Sequence, residues 1–232
     1  MDTGQRKVVK MQPLIDIFEN LDRHCGKWTH YFDIYETHFS KYRNKKPVVV
    51  EVGICRGGSA EMWQKYYGKG ATIVGIDVDP NAFKPEHQTP GCIQINGDQG
   101  NPQFWKEFLK EYPKIDVFLD DGSHRCNHQI TTLKEVWSHI VDGGVYMCED
   151  THTNYWPEYG GGLRTPTTFV EYAKQISDTM NKNYWKGTDN SPNNQLLAEH
   201  FNNLVGMHFY DSIVVMDKAP VIKTEIVTST PI

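Results

Sequence analysis

Two acidic pairs, Asp120-Asp121 and Glu149-Asp150, each close a short apolar run. The runs, residues 115–119 and 144–148, have the length and branching of buried strands. In an open parallel sheet the C-terminal strand tips face the ligand crevice, so carboxylates on neighbouring tips can share one divalent cation. Hard oxygen donors without a cysteine cluster favour Mg²⁺ or a similar ion over Zn²⁺. His124 follows Asp121 by three residues and suits a general base beside such a cation. His124 and His128 have i, i+4 spacing, which keeps a zinc pair open, although the H-E-x-x-H glutamate is missing. Turn acids and helix caps are the ordinary alternative for the doublets.

Upstream, residues 48–59 run from a strand into Glu51-Val52-Gly53-Ile54-Cys55-Arg56-Gly57-Gly58-Ser59. Glycines there let backbone approach a ligand, and the following helix offers free N–H groups. The spacing is not GxGxxG, so no dinucleotide pyrophosphate is required; Glu51 would repel phosphate and attract an ammonium. Asp77 ends a second strand, where an acid bonds ribose hydroxyls. Asp98-Gln99, after a weak third strand, could meet an adenine edge. A ligand-free turn and a solvated cap are the competing readings.

These groups need a frame. Residues 12–25 predict a helix stopped by Gly26, and the aromatic stretch 28–42 a helix packed over the crevice. Strands are expected at 48–53, 72–77, 92–95, 115–120 and 144–148, the last after an Asp142-Gly143-Gly144 turn. Helices are expected at 58–67, 102–112, 127–140 and 166–181. Strand and helix alternate at the spacing of a mostly parallel α/β sheet. Residues 151–165 read as a flexible loop, 190–194 as a polar linker, and 207–210 with 213–217 as an antiparallel closing pair. The expected division is a helical lead-in over 1–26, one domain over 27–223 and a flexible tail over 224–232.

The bulk numbers narrow the class. A chain of 232 residues suits one domain with a sizeable core. A net charge of −5 argues against a nucleic-acid partner. No apolar run nears ~18 residues and no N-terminal signal core is visible, so neither membrane spanning nor secretion is expected. Five scattered cysteines without CxxC spacing read as free thiols in a reducing compartment, here the cytoplasm.

The glycine turn, Gly75-Ile76-Asp77, Gly97-Asp98-Gln99, Asp120-Asp121-Gly122-Ser123-His124 and Gly143-Gly144-Val145-Tyr146-Met147-Cys148-Glu149-Asp150 occur together and in order. The set resembles the class I S-adenosylmethionine-dependent methyltransferases, and more closely the metal-dependent sugar O-methyltransferases of macrolide and polyketide tailoring. The segments 27–36 and 209–215 add to the resemblance. It implies a Rossmann-like α/β fold with a seven-stranded, mostly parallel sheet and an antiparallel closing strand. It implies Mg²⁺ on Asp121, Glu149 and Asp150, with Asp120 as the fallback ligand, and His124 as base. S-adenosylmethionine would lie against Glu51, Gly53, Gly57, Asp77, Asp98, Gln99 and Asp120. The acceptor would be a glycoside, walled by residues 28–42 and 151–164, with Tyr155, Trp156 and Tyr159 stacking on it; the assembly would be a homo-oligomeric dimer or tetramer. A macrolide enzyme of this kind has a long N-terminal accessory domain, and this sequence starts almost at the catalytic domain, so acceptor and assembly carry over least. A cephalosporin-hydroxylase-like enzyme with a non-sugar acceptor and a non-catalytic cofactor-binding module are the alternatives.

Overall fold

A computed structural model describes residues 11–187 and 191–221, together with Ile226. Seven strands form one sheet: β1 (Val48–Val52), β2 (Thr72–Asp77), β3 (Ile93–Asn96), β4 (Ile115–Asp120), β5 (Ile140–Cys148), β6 (Leu204–Tyr210) and β7 (Ile213–Lys218). Their order is β3-β2-β1-β4-β5-β7-β6. Pairing is parallel from β3 through β5, and β7 runs antiparallel between β5 and β6, as the closing pair predicts. Helices α1 (Leu14–Phe18), α2 (Tyr31–Phe39) and α3 (Gly58–Tyr67) bury one face; α4 (Pro102–Glu111), α5 (Cys126–Val136), α6 (Phe169–Ser177) and α7 (Pro192–His200) lie on the other.

Alternation along the central strands sorts side chains between two cores. Val50, Val52, Phe118, Tyr146 and Cys148 pack with Trp105, Trp137 and Phe169 on one face. Val49, Val117, Leu119, Val145 and Met147 pack with Tyr35, Phe39 and Trp63 on the other. Register then levels the strand tips: Val52 stands beside Asp120, and Asp120 beside Cys148. The next backbone amides continue the ladder, Asp121 N–H donating to Val52 O at 3.0 Å and Glu149 N–H to Asp120 O at 2.9 Å. Gly53, Asp121 and Glu149 therefore stand side by side at the C-terminal edge.

Four local expectations are corrected. The helix expected over 12–25 is only α1, because the backbone N–H groups of Asp22 and Arg23 donate to the Glu61 carboxylate at 3.0 and 3.1 Å rather than to helical carbonyls. Gly26 therefore does not stop a helix; it lies in irregular chain lining the cavity at the tips of β4 and β5. The expected Asp142-Gly143-Gly144 turn lies inside β5, where pairing with β4 shifts register between Ile115 and Val117. The linker expected at 190–194 is the start of α7, capped by Ser191 accepting from Asn194 N–H, with Pro192 in the first turn; Asn190 is outside the described residues. Residues 151–165 include two 3₁₀ turns, Thr151–Tyr155 and Pro157–Tyr159, held by buried Asn154, which donates to Gln129 and accepts from Val170 N–H.

Leu14 and Ile17 are buried in the core of α2 and α3, so the described part of the lead-in packs into the domain. Residues 1–10 of the lead-in, and the expected tail apart from Ile226, lie outside the described residues. The five cysteines are free, with Cys126 and Cys148 buried. Among the described residues no helix is long and apolar enough to cross a membrane.

Candidate active site

A crevice of about 560 Å³ opens at the tips of β1, β2 and β4, lined by Gly53, Asp77, Asp98, Gln99, Asp121 and His124 among others. A second cavity of about 390 Å³ lies at the tips of β4 and β5, lined by Lys27, Trp28, Tyr31, Asp121, Glu149 and Asp150 among others. Asp121 belongs to both walls. A larger cavity, about 970 Å³, sits between α4, α5, α6 and α7 on the far face and holds none of the candidate residues.

Gly53 makes the close approach possible. Its φ is +92°, and a Cβ there would lie 2.0 Å from the Asp121 carbonyl oxygen. Asp77 accepts from Cys55 N–H at 2.8 Å and from Asp79 N–H at 2.9 Å, so its carboxylate is fixed at the crevice floor. Gln99 is more constrained than an adenine contact would need. Its amide donates to Asp120 at 2.9 Å and Thr132 at 3.1 Å, and its oxygen accepts from Ser123 N–H at 2.5 Å. Asp98 accepts from Gly100 N–H at 2.8 Å. Glu51, Gly57 and Asp120 do not line the crevice. Gly57 caps α3 in a left-handed conformation.

Strand alternation separates the two members of the first doublet. Asp120 shares a face with Phe118, is 1% exposed, and accepts from Gln99 and from Tyr146 at 3.1 Å. Asp121 turns the other way, toward Lys27. The Lys27 ammonium is 2.6 Å from Asp121 Oδ2, 2.9 Å from Glu149 Oε2 and 3.6 Å from Glu51 Oε1, and its side chain is 2% exposed. Tyr35 donates to the other Glu149 oxygen, and Tyr31 donates to Asp150 Oδ1 at 2.6 Å. Neither Glu51 oxygen has a hydrogen-bond partner among the described residues.

Burial dominates the electrostatics. It raises the carboxyls of Asp121 and Glu149 and pushes Glu51 up to about 7, with Lys27 pulling each of them back. Burial also acts to lower Lys27, but Asp121 and Glu149 outweigh it and hold the ammonium well above its ordinary value.

Asp121, His124 and Asp150 offer ligand atoms all within 4.8 Å of one another. His124 Nε2 is 3.7 Å from Asp150 Oδ2, and its Nδ1 is buried with no partner among the described residues. Both His124 and Asp150 have positive φ, +57° and +52°, so local backbone strain aims them into the site. The site thus gathers Asp121, Asp150 and His124, with Glu149 beside them but engaged by Lys27 and Tyr35. His128 bonds to Ser123 Oγ at 2.9 Å and is not part of that group. Carboxyl groups outnumber the one ammonium, and the donors are chiefly hard oxygens. This set fits a Mg²⁺-class ion. Lys27 had no role assigned from sequence, and Tyr35 was placed only within the 28–42 wall; contacts spanning 94 to 122 residues leave no local signal.

Known proteins resemble this chain over most of its length. The model of the FtsJ-like methyltransferases matches residues 7–152, more than half of the sequence. The chain belongs to the FtsJ-like methyltransferase family. It is 32% identical over 201 residues to L-olivosyl-oleandolide 3-O-methyltransferase of Streptomyces antibioticus, covering 80% of this chain and 50% of that protein. It is 29% identical over 197 residues to the 8-demethyl-8-alpha-L-rhamnosyl tetracenomycin-C 2'-O-methyltransferase of Streptomyces olivaceus, covering 81% and 50% respectively. The MycE methyltransferase of the mycinamycin pathway, solved with Mg and SAH, superposes with a TM-score of 0.81 at 25% identity, covering 96% of this chain and 58% of that one. The Rossmann-like methyltransferase fold is thereby established. The chain spans about half the length of these curated relatives.

Proposed function

We propose that this chain is a Mg²⁺-dependent O-methyltransferase that moves methyl from S-adenosylmethionine to a hydroxyl on a sugar of a glycosylated natural product. The observation that carries the reading is the convergence of Asp121, His124 and Asp150 within 4.8 Å at the boundary between two cavities. Relatives named as methyltransferases of olivosyl and rhamnosyl compounds support the acceptor class. Residues 27–223 would form the methyltransferase domain, and a cytoplasmic homo-oligomer fits the reading.

In this scheme the crevice holds the cofactor against Gly53, with Asp77 and Asp98 toward its polar groups. Gln99 lines the crevice and fixes the β4 turn through Ser123 N–H, and Asp120 acts behind it, holding Gln99 and Tyr146. Asp121, Glu149 and Asp150 would hold the ion, which when bound lowers the pKa of an acceptor hydroxyl. His124 takes the hydroxyl proton on Nε2 as the oxygen attacks the sulfonium methyl, leaving S-adenosylhomocysteine and the methyl ether. The protein's main contribution is alignment, because the sulfonium already makes the methyl electrophilic. Trp28 and Tyr31 wall the second cavity. An aromatic row runs outward from Trp28 through His152 to Trp156 and Tyr159, with ring centroids 6.1, 4.9 and 6.0 Å apart, and offers stacking surface to a sugar or aglycone.

Incubation with methyl-labelled S-adenosylmethionine, Mg²⁺ and a panel of rhamnosylated and olivosylated polyketides tests the acceptor. The expected product carries the label on a sugar oxygen by NMR. A label on an aglycone or amine, with every glycoside hydroxyl untouched, would refute the sugar assignment.

A further inference from the structure

A second group of potential metal donors lies away from the crevice, where α2 packs on the β6–β7 hairpin. His208 on β6 and Asp217 on β7 project from the same face, with His208 Nε2 3.0 Å from Asp217 Oδ2. Gly206 stands opposite Asp217 in the ladder and contributes no side chain above the pair. A Cβ there would come 3.4 Å from Asp217 Oδ2 and 3.6 Å from His208 Nε2. From α2, His38 brings a buried imidazole whose ring centroid is 4.7 Å from that of His208. Ligand atoms of His38, His208 and Asp217 all fall within 4.8 Å of one another.

We propose that His38, His208 and Asp217 form a zinc-class metal site that fastens the β6–β7 hairpin to α2. Two imidazoles and one carboxylate suit Zn²⁺, Co²⁺ or Ni²⁺ and are poor donors for Mg²⁺ or Ca²⁺. Three protein ligands leave a fourth tetrahedral position, which the half-exposed side of His208 opens to water. The flanking groups are placed as supports. His38 Nε2 lies 2.9 Å from Tyr210 Oη, which orients the ring, and Lys41 Nζ approaches the other Asp217 oxygen, Oδ1, at 3.6 Å. The site shares no residue with the proposed catalytic centre and stands or falls independently of it.

The competing description is a metal-free polar network of the His208–Asp217 pair and the His38–Tyr210 hydrogen bond. Titration of chelator-stripped protein with Zn²⁺ in saturating Mg²⁺, followed by calorimetry, separates the two; Co²⁺ absorption in the visible region reports imidazole ligation. The expected result is one equivalent bound in the micromolar range or tighter, with a rise in melting temperature. His208→Ala, an exposed change that leaves the fold intact, weakens binding by about tenfold or more and removes the thermal shift. His124→Gln, in the crevice, leaves both unchanged. Absence of Zn²⁺ binding in the wild type, or binding that survives His208→Ala, overturns the site.

Discussion

Three carboxylates, Glu51, Asp121 and Glu149, meet one buried ammonium, Lys27, around the tips of β1, β4 and β5, and Asp150 lines the same cavity as Lys27. Lys27 repels an incoming cation and occupies one oxygen each of Asp121 and Glu149. Lys27→Met should therefore tighten Mg²⁺ binding by roughly tenfold, about 1.4 kcal/mol. The metal-free variant should also melt lower, because buried acids lose their partner. Calorimetry that finds weaker Mg²⁺ binding would instead make Lys27 an organiser of the ligands. His124→Gln should lower kcat by roughly 10²–10⁴-fold while leaving S-adenosylhomocysteine affinity near normal, as measured by steady-state rates and calorimetry. Retention of most of kcat would remove its role as base. Asp77→Ala should weaken S-adenosylhomocysteine binding by about 1–3 kcal/mol, and unchanged affinity would reject that assignment. The acids and His124 were legible because their types and positions after apolar runs are unusual. Lys27 was not, since a single lysine beside a glycine reads as solvent-exposed. The choice between Asp120 and Asp121 was also hidden: β4 is buried on both faces, so its sequence shows no alternation to set parity.

At the scale of elements, Glu61 on α3 links the N-terminal segment to the site. It accepts from the N–H groups of Asp22 and Arg23 and pairs with Lys65 at 2.6 Å, so it holds the chain that delivers Lys27. Burial pushes the Glu61 carboxyl up, but the Asp22 amide, Lys65 and Arg23 outweigh it and leave it below its ordinary value. A depressed carboxyl stabilises the fold fully above the unfolded value of about 4.3, and the contribution is lost as pH falls through the lower folded value. Glu61→Ala should thus cost about 1–3 kcal/mol at neutral pH. Denaturant melts of the two proteins should converge in acid below the folded value. A constant gap across that range would contradict the linkage. The same contact explains why a helix over 12–25 was a reasonable reading and still failed: Leu14, Ile17, Phe18 and Leu21 have helical spacing, but a tertiary acceptor claims the amides after α1. Strands β2 and β4 and helix α3 match expectation to the residue, because β-branched runs and glycine boundaries mark them locally.

For the whole molecule, the sheet order follows from alternating strands and helices, and the antiparallel closure from the Asp211-Ser212 turn between β6 and β7. The crevice along β1, β2 and β4 was legible from its strand tips, but the second cavity beside Asp121 was not, since residues 26–29 cross the tips of β4 and β5 to wall it. Chelation tests the central claim most directly. Turnover of S-adenosylmethionine with a glycoside acceptor should be measured before EDTA treatment, after it, and after Mg²⁺ is restored, with S-adenosylhomocysteine affinity followed by calorimetry in all three states. The account predicts that turnover is abolished and then recovered while cofactor affinity persists throughout; full turnover in rigorously chelated enzyme would contradict it.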